Sequence, residues 1–266
     1  MTFLDAHNHL HDARLAPYRD VFLAELERLP IGGGVVNGTK EDDWAEVREM
    51  AIQHPWVVPS YGLHPWFVLR RSEVWLSTLR DLLMQDPRAA VGEIGLDRWI
   101  EGHDLEVQRP VFLDQLRLAA ELSRPATIHC VQAWGALREA LQGATIPARG
   151  FLLHAYGGPV EMIDDFVEQG AYFSFSPYFL HERKKLQREA FIRIPAERLL
   201  VETDAPDLRP PDEANPRPIL DRAGKSVNHP ANIDVAYRGL AELREVSLSH
   251  LAPMVAENYA RLFLLV

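Results

Sequence analysis

AAVGEIGLD, residues 89–97, opens with an apolar run over 89–94 that has a single carboxylate set inside it. The run has the length of a strand, and Gly92 and Gly95 leave room around the Glu93 side chain. A carboxylate in such a place is costly unless it is paired or metal-bound. The same arrangement returns in both directions along the chain. His7 closes TFLDAH (2–7), His129 sits in PATIHCV (125–131), His154 in GFLLHA (150–155), and Asp204 closes LLVETD (199–204). Three further strand-length runs are GGVVNG (33–38), WVVPSY (56–61) and AYFSFS (171–176). Between the runs lie segments with apolar residues at three-to-four spacing, such as 74–83 and 107–122. Eight strands alternating with helices predict an α/β fold, a single (β/α)8 TIM barrel over 1–266 with an additional C-terminal helix. A doubly wound sheet fits the alternation, but not chemistry-bearing residues at five different strand ends; a barrel delivers them all to one rim.

Composition narrows the function. The 266 residues are 47% hydrophobic and 25% charged, ordinary for a globular chain with a large core. A net charge of −10 and a pI near 5.6 argue against a surface that holds nucleic acid by general attraction. They leave room for a nucleic-acid substrate held through divalent cations and a few local Arg or Lys side chains. One cysteine, Cys130, excludes an intramolecular disulfide. The opening MTFLDAHNHL does not read as a leader, and no apolar run is long enough to span a membrane, so a cytoplasmic protein with no membrane contact and no obligate protein partner is expected.

The connection 206–230 follows Asp204 directly and carries six prolines, which should stiffen it into a fixed wall beside the strand ends. Two closing helices are predicted after it, over 233–244 and 248–263, the second sealing the barrel floor or side.

His7 and His9 are one residue apart, so an extended backbone turns both imidazoles to one side. Taken singly, these and the other candidates have plainer readings: polar strand ends for His7 and His9, an ion pair with a neighbouring Arg for Glu93, hydrogen-bonded core residues for His129 and His154, a turn cap before Pro206 for Asp204. Glu202, two residues before Asp204 on the same side, is placed to orient a histidine from one layer deeper. Cys130 should face away from His129, as a small core residue rather than a nucleophile. Taken together, four imidazoles and two carboxylates suit two borderline or hard divalent cations, with zinc, manganese and magnesium all compatible.

DAHNHL at 5–10, GLHPW at 62–66, VGEIGLD at 91–97, IHC at 128–130, LLHAYGG at 152–158, ETDAP at 202–206 and ENYARLF at 257–263 follow one another along the whole chain. In these motifs and their order the chain resembles the TatD-type metal-dependent deoxyribonucleases of the amidohydrolase-like superfamily. The resemblance implies that His7, His9, Glu93 and Asp204 hold one cation and Glu93, His129 and His154 a second, and that His64 faces the substrate phosphate. Two stretches depart from the family pattern: His154-Ala155-Tyr156-Gly157-Gly158 in place of His-Cys-Phe-Ser-Gly, and Asn228-His229-Pro230-Ala231 in place of Asn-Glu-Pro-Ala.

The expected chemistry is metal-assisted hydrolysis of a phosphodiester in nucleic acid, DNA foremost. Asp204 orients the attacking water and takes its proton, Glu93 bridges the cations, and His64 stabilises charge on the non-bridging oxygens. Arg183, Lys184 and Lys185, in a helix predicted over 182–193, face either the strand's backbone or only solvent. A single-stranded or frayed end enters a barrel mouth more easily than a duplex, which favours exonuclease action. The same site would also serve an esterase or amidase, such as an aminoacyl-tRNA deacylase, or a non-catalytic metal-binding module.

Overall fold

Eight parallel strands pair in the order in which they occur in the chain. The computed structural model describes residues 2–264; residues 1, 265 and 266 of the domain expected over 1–266 lie outside it. The strands are β1 (Phe3–Asn8), β2 (Ile31–Asn37), β3 (Val57–Tyr61), β4 (Ala90–Asp97), β5 (Ala126–Val131), β6 (Phe151–Leu153), β7 (Ala171–Phe175) and β8 (Leu199–Val201). Around them run α1 (Arg19–Arg28), α2 (Trp44–Gln53), α3 (Trp75–Gln85), α4 (Leu105–Glu121), α5 (Trp134–Gln142), α6 (Ile163–Glu168), α7 (Lys185–Arg193), α8 (Ile233–Leu243) and α9 (Leu248–Phe263). This is the TIM barrel with an additional C-terminal helix. Helices cover the outer face of the sheet, so β1, β3, β4, β6, β7 and β8 are buried along their whole length, which is why they read as mainly apolar runs in which a polar residue stands out.

Two strands end sooner than their sequences suggest. The runs at 150–155 and 199–204 leave the ladder after Leu153 and Val201. Just beyond, Ala155 and Asp204 take positive φ angles of 43° and 53°, so the chain turns at the mouth. The helix predicted over 182–193 opens as a 3-10 turn, Glu182–Lys184, before α7. The proline-rich connection also carries an unforeseen antiparallel hairpin, β9 (Ile219–Leu220) with β10 (Ser226–Val227). Asn228 ties it to the barrel, its backbone N–H donating to Pro206 O (2.8 Å) and its side chain to Thr203 O (2.8 Å).

Backbone and side-chain bonds close the seam between β8 and β1. Asp204 N donates to His7 O (2.9 Å) and His9 N to Ala205 O (2.8 Å), while the Asp5 carboxylate accepts from Thr203 N (3.0 Å) and Thr203 Oγ1 (2.5 Å). At the strands' amino ends α8 and α9 pack against this seam. Asn258 on α9 donates to Ala196 O and Leu199 O, both at 2.8 Å, which places α9 at the floor beside β8. Among the described residues no helix is long and apolar enough to cross a membrane.

Tyr237 on α8 is fully buried; its hydroxyl accepts from Leu4 N (3.0 Å) and donates to Leu4 O (3.2 Å), and its ring lies 4.6 Å from that of Phe3. Tyr237→Phe keeps the packing and strands the Leu4 N–H, so it should lower stability by about 2 kcal/mol. Urea unfolding should show an earlier midpoint with unchanged slope; an unmoved midpoint would show that this bond does not anchor α8.

Candidate metal centre

The carboxyl ends of β1, β3, β4, β5, β6 and β8 bring all seven expected site residues together. Glu93 sits at the middle. Its Oε2 lies 3.5 Å from His7 Nε2 and 3.3 Å from His9 Nε2, and its Oε1 lies 3.0 Å from His129 Nδ1, 2.9 Å from His154 Nε2 and 3.4 Å from His64 Nε2. Asp204 Oδ1 joins from across the seam, 3.5 Å from His7 Nε2 and 3.3 Å from His9 Nε2. Glycine makes this crowding possible: a Cβ at Gly92 would meet Thr127 Oγ1 at 1.9 Å, and one at Gly95, whose φ is +147°, would meet His129 O at the same distance.

The proton positions follow from the outer bonds. His9 Nδ1 lies 2.7 Å from Asn37 O, a carbonyl that can only accept, so Nδ1 carries the proton and the Nε2 lone pair points inward. His129 Nε2 donates to Asp97 Oδ2 (2.8 Å), which leaves its Nδ1 lone pair facing Glu93 and His154. The centre is thus a gathering of acceptors, and like lone pairs brought this close repel unless a proton or a cation lies between them. Burial works against charging His9, yet the carboxylates of Asp204 and Glu93 outweigh it and move its pKa up, so a proton does this work where a cation does not. For Glu93 burial is again opposed, here by the positive potential of His64, His154 and His7, and its carboxyl is held well below the usual range.

The spacing suits a small divalent ion. His7 Nε2 and His9 Nε2 lie 3.3 Å apart, and each lies 3.3 to 3.5 Å from both Glu93 Oε2 and Asp204 Oδ1. His7 Nε2, His9 Nε2 and Asp204 Oδ1 form a triangle with edges of 3.3 to 3.5 Å, and a point about 2.1 Å from all three, the length of a bond from zinc or magnesium to nitrogen or oxygen, exists beside it. Glu93 Oε1, His129 Nδ1 and His154 Nε2 form a second, tighter triangle.

Outer groups hold this arrangement. Glu202, fully buried, takes a hydrogen bond from Ser174, and its Oε1 lies 3.6 Å from His154 Nδ1, beside the ring but beyond hydrogen-bond reach. Asp97 was not foreseen as a functional group. Its Oδ2 accepts from His129 and from Trp66 Nε1 (2.8 Å), its Oδ1 from the backbone of Trp99 (2.6 Å) and Ile100 (3.0 Å). The signal was present, since Glu93 and Asp97 are four apart on one strand and face the same side. Buried His11 also pairs with Asp43 (3.6 Å) from the loop after β2, a contact that no spacing along the chain marks.

His64 Nδ1 accepts from Trp66 N (3.2 Å), so its Nε2 carries the proton and points toward Glu93. Burial pushes its pKa down to about 4, leaving the ring a neutral donor. At the β7 side, the Arg183 guanidinium and the Lys184 ammonium lie over the Tyr178 ring, 5.3 and 4.9 Å from its centroid.

A family model described as "TatD related DNase" matches residues 4–264. The chain belongs to this family. The protein named 3'-5' ssDNA/RNA exonuclease TatD from Erwinia tasmaniensis is 31% identical over 257 residues, covering 96% of this chain and 97% of that one. A protein of Bacillus subtilis named as an uncharacterized metal-dependent hydrolase, YabD, is 27% identical over 97% of this chain and 98% of its own. Among solved structures, the TatD homolog YjjV of Escherichia coli superimposes with a TM-score of 0.87 at 26% identity, covering 99% of this chain and 98% of that chain. TatD-family membership makes the protein a metal-dependent hydrolase of ester bonds.

Cys130, beside His129, is buried, and burial pushes its thiol well above the usual range. Iodoacetamide at mildly alkaline pH should therefore leave the native protein unmodified and alkylate the unfolded chain fully, read by mass spectrometry. Equal modification of both forms would reopen a nucleophilic role.

Proposed function

We propose that the chain hydrolyses phosphodiester bonds of nucleic acid with two divalent cations, one held by His7, His9, Glu93 and Asp204, the other by Glu93, His129 and His154. The observation that carries this reading is the convergence of imidazole nitrogens of His7, His9, His129 and His154 on the two oxygens of Glu93. The residues at 1–266 act as one domain in this reading, since the ligands come from both ends of the chain. Divalent cations bound there supply Lewis acidity toward the phosphate and lower the pKa of water.

The chain's own residues do the rest. Asp204, beside both His7 and His9, orients the attacking water and accepts its proton. His64 donates from Nε2 to a non-bridging phosphate oxygen as negative charge builds there. Asp97 keeps the imidazole of His129 turned inward, and Glu202 stands beside that of His154. A single-stranded or frayed DNA end is the favoured substrate; the exonuclease activity on single-stranded DNA and RNA in the name of the Erwinia relative supports it and keeps RNA in view.

The test is digestion of end-labelled single-stranded DNA, duplex DNA and RNA by chelated protein as zinc, manganese or magnesium is returned. Activity should appear only on metal return, and on single strands first. Asp204→Asn should lower kcat by about 100-fold or more with the circular dichroism unchanged. A folded Asp204→Asn variant with full activity, or cleavage of aminoacyl esters without any cleavage of phosphodiesters, would overturn the reading.

A further inference from the structure

Six tryptophans are present, and the two that are exposed stand side by side at the mouth. Trp66, 42% exposed, follows β3 and Trp99, 63% exposed, follows β4, the neighbouring strand; their ring centroids are 6.2 Å apart with planes inclined by 31°. Trp44 and Trp75 are buried in the core. Two large rings left in water next to one another are costly, and such a patch beside a polar centre points to a ligand with apolar faces.

The pair is built into the centre. Trp66 Nε1 and Trp99 N donate to the two oxygens of the Asp97 carboxylate, the same group that holds His129. The rings of His129, His64, Trp66 and Trp99 then follow one another at 4.4, 5.1 and 6.2 Å, an aromatic run from the acceptor cluster to solvent. The Trp66 indole and the Trp99 backbone are fixed in advance, which lowers the ordering entropy lost on binding.

We propose that Trp66 and Trp99 form a stacking platform for an unpaired nucleobase of the strand whose phosphodiester lies at the centre. Every base offers a π-face, so the platform binds without sequence preference, and a base inside a duplex has its faces already covered. Stacking also supplies affinity that a chain of net charge −10 does not draw from its overall field. The inference rests on the phosphodiesterase reading for the class of its ligand.

Trp99 is the cleaner residue to change, because its contribution to Asp97 comes from the backbone. Steady-state kinetics of the metal-loaded protein would compare an intact single-stranded oligodeoxynucleotide with one abasic in its terminal two nucleotides at each end. Trp99→Ala should raise KM for the intact strand about tenfold, the scale of one stacked base, and Trp99→Phe should recover most of it. On the abasic strand Trp99→Ala and wild type should agree within about twofold. An unchanged KM on the intact strand, or an equal loss on both, would overturn the platform. Should wild type cleave neither strand, the phosphodiesterase reading fails, and tryptophan fluorescence of chelated protein decides the platform alone: quenching by the intact strand that Trp99→Ala loses supports it, and no quenching overturns it.

Discussion

One buried carboxylate, that of Glu93, touches five imidazoles and sets the terms for the rest of the molecule. An ionised group in a barrel interior is tolerated only where opposite charge and hydrogen-bond donors surround it. Here two of the partners, His9 and His129, have their outer nitrogens bonded to Asn37 O and Asp97, which turns their inner lone pairs toward the carboxylates, while His64 turns an N–H toward Glu93. Divalent cations held beside Glu93, as proposed, would resolve that conflict. The fold supplies the means: strand ends from both termini meet at one rim, and the bonds that close the seam also set Asp204 beside His7.

Much of this was legible in the sequence because a barrel strand covered on both faces leaves a mainly apolar run, and a polar residue at its end stands out. All eight runs became strands, and His7, His9, His64, Glu93, His129, His154 and Asp204 meet at one mouth. What escaped was conformation and reach. Positive φ at Ala155 and Asp204 ends β6 and β8 early, a backbone choice that apolar periodicity does not report. The two-residue strands of the hairpin are too short to show a period. Asp97 lay in plain view four residues past Glu93, but its partners Trp66, Trp99 and His129 come from three segments, and only the fold assembles them.

Asp97 also links the two kinds of recognition at the mouth. Through one oxygen it turns His129 inward, and through both it fixes the tryptophan loops that reach solvent. Cation chemistry and aromatic contact are therefore set by one buried carboxylate on the same strand as Glu93, which helps an acidic protein take a polyanion without a basic surface.

Calorimetric titration of the chelated, folded protein with zinc addresses the centre most directly. The account predicts two cations bound per chain in the wild type and no more than one in Glu93→Gln. Equal stoichiometry in both proteins, or no binding in the wild type, would contradict the claim that Glu93 joins two cations at the barrel mouth.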